Sequence, residues 1–102
     1  MTADDSSPDD AEPVRLPITG ELDLHSFDPR EAMDVVDDYL DECRRRGILE
    51  VRIVHGRGRG VRRAEVRRLL AGRADVVAFR DAPPVSGGWG ATLVELSARV
   101  AE

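Results

Sequence analysis

The stretch from Asp28 to Gly47 constrains the fold more than any other. Asp28 is a helix N-cap, Pro29 fits the first helical position, and Glu31 stands three residues after the cap. Ala32, Val36, Leu40 and Cys43 then recur at helical spacing, with Val35 and Tyr39 flanking them. Arg44, Arg45 and Arg46 place cations at the negative helix end, and Gly47 closes it. A helix with one apolar stripe needs a second layer to bury it. Its flanks supply one. In "ELDLHS" (21–26) Leu22 and Leu24 face one way while Glu21, Asp23 and His25 face the other. In "EVRIVHG" (50–56) Val51 and Ile53 share a face. Strand, helix, strand is a parallel crossover unit.

The alternation continues along the chain. A second helix over about 61–71 buries Val66, Leu69 and Leu70 and leaves Arg63, Arg67 and Arg68 outside the stripe. A third strand (76–80), a Pro/Gly-rich loop (81–90) and a fourth strand (91–97) follow, then a short tail open to helix. The order predicts an α/β fold: a two-layer βαβαββ sandwich, with two helices over one face of a four-stranded mixed sheet. Two parallel crossovers and a final hairpin would build it. At 102 residues the chain is one domain. Residues 1–15 read as an acidic, disordered tail and 16–102 as the domain. The tail is either an inert solubiliser or a shield for arginines elsewhere.

No apolar run approaches the roughly 20 residues that cross a bilayer, and "MTADDSSPDDAEP" is no signal peptide. A soluble cytoplasmic protein without a membrane partner is expected. Cys43 is the single cysteine and lies on the apolar stripe, so it has no disulfide partner within the chain. The net charge of -5 is misleading as an average. Residues 1–12 hold five acids and no base, and removing them leaves 15 acids against 15 arginines. Residues 44–73 hold eleven of those arginines and two glutamates. A neutral body with one strongly basic third suits a polyanion. The alternatives are a solvated helix face and an acidic protein partner.

Both histidines fall at strand exits: His25 in "LDLHS" and His55 in "IVHGRGRG". Parallel units bring those exits to one edge, where ligands usually bind. Asp23 precedes His25 by two residues. A parallel second crossover would add the loop of Gly87, Gly88, Trp89 and Gly90. Glycines admit backbone N–H groups to phosphate oxygens, arginines clamp them, and imidazoles move protons. The expected roles follow. Arg57, Arg59 and Arg63, with the loop at Gly56, Gly58 and Gly60, hold phosphate, and Gly87, Gly88 and Gly90 complete the binding edge. His55 or His25 shuttles protons. Asp23 orients a histidine or helps hold a divalent ion such as Mg²⁺; the spacing demands no metal site and no other cofactor. Trp89 either stacks on a base or anchors its loop.

Three segments, "ELDLHS", "VRIVHGRGRGVRRAEVRRLL" and "VVAFRDAPPVSGGWGATLVEL", resemble the Smr (small MutS-related) domain over residues 20–97 or so. The resemblance rests on Leu-Asp-Leu-His, His-Gly-x-Gly and Gly-Gly-x-Gly-Ala-Thr in the right order and spacing. It implies a βαβαββ sandwich similar to the C-terminal domain of bacterial translation initiation factor three. It also implies nucleic-acid binding, with nicking of DNA or cleavage of RNA. The first motif carries over to Asp23 and His25, the second to His55, Gly56 and Gly58, the third to Gly87, Gly88, Gly90 and Thr92. Ser26 stands where the first motif commonly has glycine, and Arg62 where an apolar residue usually follows the second. The expected function is structure-selective endonuclease activity on DNA or RNA. The alternatives are a non-catalytic nucleic-acid or ribosome-binding module and a protein–protein adaptor.

Overall fold

The computed structural model describes residues 18–98. The expectations for the acidic tail, and for residues 99–102 of the C-terminal tail, lie outside the described residues. The described residues form four strands and two α-helices: β1 (Glu21–Asp23), α1 (Pro29–Arg45), β2 (Glu50–Val54), α2 (Val61–Ala71), β3 (Val76–Asp81) and β4 (Ala91–Leu96). The sheet order is β1-β2-β4-β3. β2 pairs with β1 in parallel and with β4 antiparallel, and β4 pairs antiparallel with β3. β1, β2 and β3 therefore all run the same way, although β4 separates the last two. Both crossovers step in the same direction across the sheet, so their common handedness puts both helices on one face.

α1 forms as its sequence dictates. The Asp28 carboxylate accepts from the Arg30 N–H at 2.8 Å. At the other end Gly47 adopts φ 76°, its N–H reaches the Arg44 carbonyl, and the Ile48 N–H reaches that of Cys43 at 2.8 Å. This is a Schellman closure, and only glycine takes its left-handed residue without strain. Tyr39 pins the helix to the start of β1. Its hydroxyl accepts from the Gly20 N–H at 3.1 Å and donates to the Glu21 carbonyl at 2.9 Å.

One core joins the layers. Leu22, Val51, Ile53, Val94 and Leu96 from the sheet meet Val36, Leu40, Cys43, Val66 and Leu70 from the helices. Leu69, expected in the core, is only partly buried and packs at its margin. Cys43 is fully buried, and burial pushes its thiol pKa up, as befits a core residue. A second tie is ionic. Arg73 donates to Asp75 at 2.7 Å and Asp41 at 2.7 Å, and also engages Asp37, while Arg44 meets Asp75 at 3.3 Å. The cluster clamps α1 to the turn that enters β3.

Two strands are shorter than the alternation predicts. β1 stops at Asp23, and Leu24–Ser26 turn instead into a 3₁₀ helix. The cause is the Asp23 carboxylate, which caps the His25 N–H at 2.9 Å and offers the backbone an alternative to the ladder. β2 stops at Val54, because the N–H groups of His55 and Gly56 both turn to the Gly90 carbonyl.

Candidate nucleic-acid interface

The carboxyl ends of β1, β2 and β3 and the start of β4 meet at one edge of the sheet. The loops that issue there carry His25, the 55–60 stretch and the 82–90 stretch. The N–H groups of His55 and Gly56 donate to the Gly90 carbonyl at 3.1 and 2.9 Å, so the second and third loops are stitched together. A Cβ placed on Gly56 would lie 3.8 Å from His25 Cε1, so the first loop lies beside the second.

The two histidines have different surroundings. The His25 side chain is 75% exposed and its Nδ1 lies 3.1 Å from Asp23 Oδ1. Asp23 is held below the usual carboxylate range, chiefly by the His25 backbone N–H and further by the imidazole. His55 is buried. Its Nδ1 faces the Gly56 carbonyl at 3.0 Å, and its Nε2 faces the Thr92 hydroxyl at 2.8 Å. A carbonyl only accepts, so Nδ1 carries the proton and the Thr92 hydroxyl donates to Nε2. Burial pushes the His55 pKa below its ordinary value, the Gly56 carbonyl offsets part of this, and the nearby Arg63 charge adds to the lowering.

The arginines divide likewise. Arg57 lies along the third loop, its Nη2 3.4 Å from the Gly87 carbonyl. A Cβ on Gly88 would come within 2.9 Å of Arg57 Nη2, and one on Gly90 within 3.2 Å of its Cγ. Those two glycines make room for the arginine. Arg59 is exposed and has no ion-pair partner among the described residues. Arg63 is engaged: it donates to both oxygens of Asp81, at 2.9 and 3.1 Å, and lies over the Trp89 ring, 5.1 Å from its centroid. Arg67 shares Asp81 at 3.1 Å.

Four contributors escaped the sequence reading. Thr92 entered only through the resemblance, without a role. Asp81 is the acid that fixes Arg63 and Arg67. Arg52 and Ser86 form a strut: the Arg52 guanidinium bonds Glu21 at 2.6 Å and the Ser86 carbonyl at 2.7 Å, tying the third loop to the sheet. An acid at a strand exit beside a helix of arginines was a usable signal for Asp81. Arg52 alternates onto the sheet face away from the helices and carried no signal. Among the described residues no three His, Cys, Asp or Glu side chains gather as a metal-ligand set, and no helix is long and apolar enough to cross a membrane.

Comparison with known proteins gives one consistent result. A family model described as the Smr domain matches residues 22–97. The chain is 42% identical over 79 residues to a protein named endonuclease MutS2 of Clostridium botulinum, covering 78% of this chain and 10% of that protein. It is 41% identical over 76 residues to the protein of the same name in Thermus thermophilus, covering 74% of this chain and 10% of that protein. The chain thus spans about a tenth of the length of these relatives. Among solved structures, the Smr domain of Thermus thermophilus MutS2 superposes with a TM-score of 0.72 at 40% identity, covering 76% of this chain and 98% of that one. The stand-alone small MutS-related protein YdaL of Escherichia coli gives 0.73 at 31% identity, covering 79% and 66%. Motifs, strand order and comparisons agree that this chain belongs to the Smr domain family.

Proposed function

We propose that the chain binds nucleic acid and cleaves one of its strands, as a structure-selective phosphodiester hydrolase. The relatives named endonucleases support the reading, and one observation carries it: an exposed imidazole, His25, held by Asp23 against the glycine loop at Gly56. In this reading His25 moves the proton, and Asp23 orients the ring. Asp23 takes Nδ1, which leaves Nε2 as the second nitrogen of an exposed ring. The loop from Gly56 to Gly60, with Arg57 and Arg59, holds phosphate. His55 holds that loop in place, since both its nitrogens are engaged. Arg63 steadies the edge through Asp81 more than it meets substrate.

Binding without cleavage is the second reading. It is favoured by the scarcity of free proton-transfer groups, with one imidazole exposed and the other enclosed. One experiment separates them: single-turnover assays of native protein and His25→Ala on labelled single-stranded, duplex, branched and RNA substrates, with Mg²⁺ or with chelator. Cleavage by the native protein and a loss of roughly 10²–10⁴-fold in rate in His25→Ala, with affinity retained, is expected. Binding with no turnover on any substrate would select the second reading. Affinity that ignores salt would refute both, because phosphate contacts make log K fall with log salt by about 0.9 per duplex phosphate neutralised.

A further inference from the structure

Trp89 is a large apolar residue that the core does not use. The core cluster contains no atom of it, and the residue stays 40% exposed. Its loop is nevertheless stiff. The N–H groups of Ser86 and Gly88 both donate to the Pro83 carbonyl, at 2.8 and 3.0 Å, and Gly90 N–H to that of Gly87 at 3.0 Å. Arg52 fastens the same loop through the Ser86 carbonyl. The indole itself is braced. The Arg63 guanidinium lies over it, held from behind by both oxygens of Asp81. Gly60, the last residue of the glycine loop, packs against its edge, with an added Cβ 3.5 Å from Cζ3.

A braced, half-exposed indole next to a phosphate-holding loop has a specific use. Apart from Asp81, which Arg63 and Arg67 already pair, the charged groups near it are cationic: Arg57 on the neighbouring loop, Arg59 without a partner among the described residues, and Arg63 on the ring. The fitting ligand is polyanionic and carries flat apolar rings. We propose that Trp89, stiffened by Arg63 and Asp81, is a stacking subsite for one unpaired nucleobase. Its base would sit on the indole while the adjoining phosphate meets the Gly56–Gly60 loop. A paired base has its faces covered by its neighbours in the stack, so the subsite selects nucleotides that are single-stranded, at a gap or at a branch. This inference rests on the proposed nucleic-acid binding and adds to it the substrate class.

Trp89 is the single tryptophan of the chain, so intrinsic fluorescence reports on this site alone. The test titrates native protein with a short single-stranded oligonucleotide, its blunt duplex and the same duplex with a one-nucleotide gap, while anisotropy of an end label measures affinity independently. The expected result is quenching by the single-stranded and gapped ligands and little by the blunt duplex. Trp89→Ala should bind the single-stranded ligand roughly 10- to 100-fold more weakly and the blunt duplex almost as well as native protein. Trp89→Phe, which keeps an aromatic face, should recover most of that loss, and melting curves of both variants check that they fold. Anisotropic binding of every ligand without quenching, or an equal loss for single-stranded and duplex ligands in Trp89→Ala, would overturn the stacking subsite and leave nucleic-acid binding intact. Binding of none of the ligands would overturn both, and a tryptophan signal confined to added protein would point to a docking surface instead.

Discussion

Thr92 to valine is the sharpest test of how the edge is built. The substitution keeps the side chain's shape and removes its hydroxyl. Thr92 is fully buried, and its hydroxyl is the donor to His55 Nε2 at 2.8 Å. The ring cannot simply change tautomer to compensate, because Nδ1 must keep its proton for the Gly56 carbonyl. Nor can it easily protonate, since burial disfavours the charged form. Nε2 is left as a buried acceptor without a donor, which costs about 1–3 kcal/mol. For a domain of this size each kcal/mol lowers Tm by roughly 4–8 °C, so Thr92→Val should melt some 5–20 °C lower. The dependence on denaturant should keep its slope and shift its midpoint. Nitrogen NMR of the native imidazole should show the proton on Nδ1. Measured well below its Tm, the variant should still bind nucleic acid. An unchanged Tm, or a proton found on Nε2, would refute the hydrogen-bond assignment. A rate loss of 10²-fold or more with stability intact would return His55 to the proton-transfer role.

The histidine also sets a pH dependence. The folded His55 pKa lies below the unfolded value of 6.5, so the unfolded chain takes up the proton first; stability should fall as pH drops below about 6.5, and His55→Gln should flatten that part of a Tm–pH profile. At lower pH the ionic cluster takes over. Hydrogen bonds from Arg73 hold Asp75 below the ordinary 3.8, so its stabilisation is present above that pH and is lost as pH falls through the lower folded value. Asp75→Asn should cost about 3 kcal/mol in denaturant melts at neutral pH, because it leaves Arg73 and Arg44 with one acid fewer in a nearly enclosed site. Asp23→Asn should slow cleavage while leaving Tm within a few degrees, since the carboxylate is exposed and an amide oxygen can still cap His25 N–H. Gly60→Ala should cost about 1–2 kcal/mol, seen as a lower Tm, because φ is +81° there.

Much of this architecture was legible because local signals agreed with one another. The caps of α1, its apolar stripe and the glycine at its end all specified the same helix, and the structure has it within a residue. Strand direction was legible too, since two crossovers of one hand fix where the exits lie. What escaped were contacts between residues far apart in sequence. His55 and Thr92 are 37 positions apart, and nothing local says that a strand-exit histidine will be enclosed. Arg63 looked like a phosphate ligand because its charge is visible in the sequence while its partner, Asp81, is brought to it only by the fold. The short β1 was missed for a different reason: alternation runs through Leu24, and the competing cap from Asp23 is a matter of geometry.

The position of β4 has a consequence for how the chain comes to exist. Among the described residues the last strand made, β4, is the one that lies between β2 and β3, and each of those pairs with it rather than with the other. On the ribosome, β1, α1 and β2 can dock as they emerge, but β3 has no strand to join until Ala91–Leu96 appears. Gly90 and Thr92, which hold the Gly56 loop and His55, arrive with that same segment. A nascent or truncated chain that ends before it therefore carries fourteen of the fifteen arginines and both histidines yet has no assembled edge. Closure of the sheet and assembly of the edge become a single late event, with β4 as the keystone.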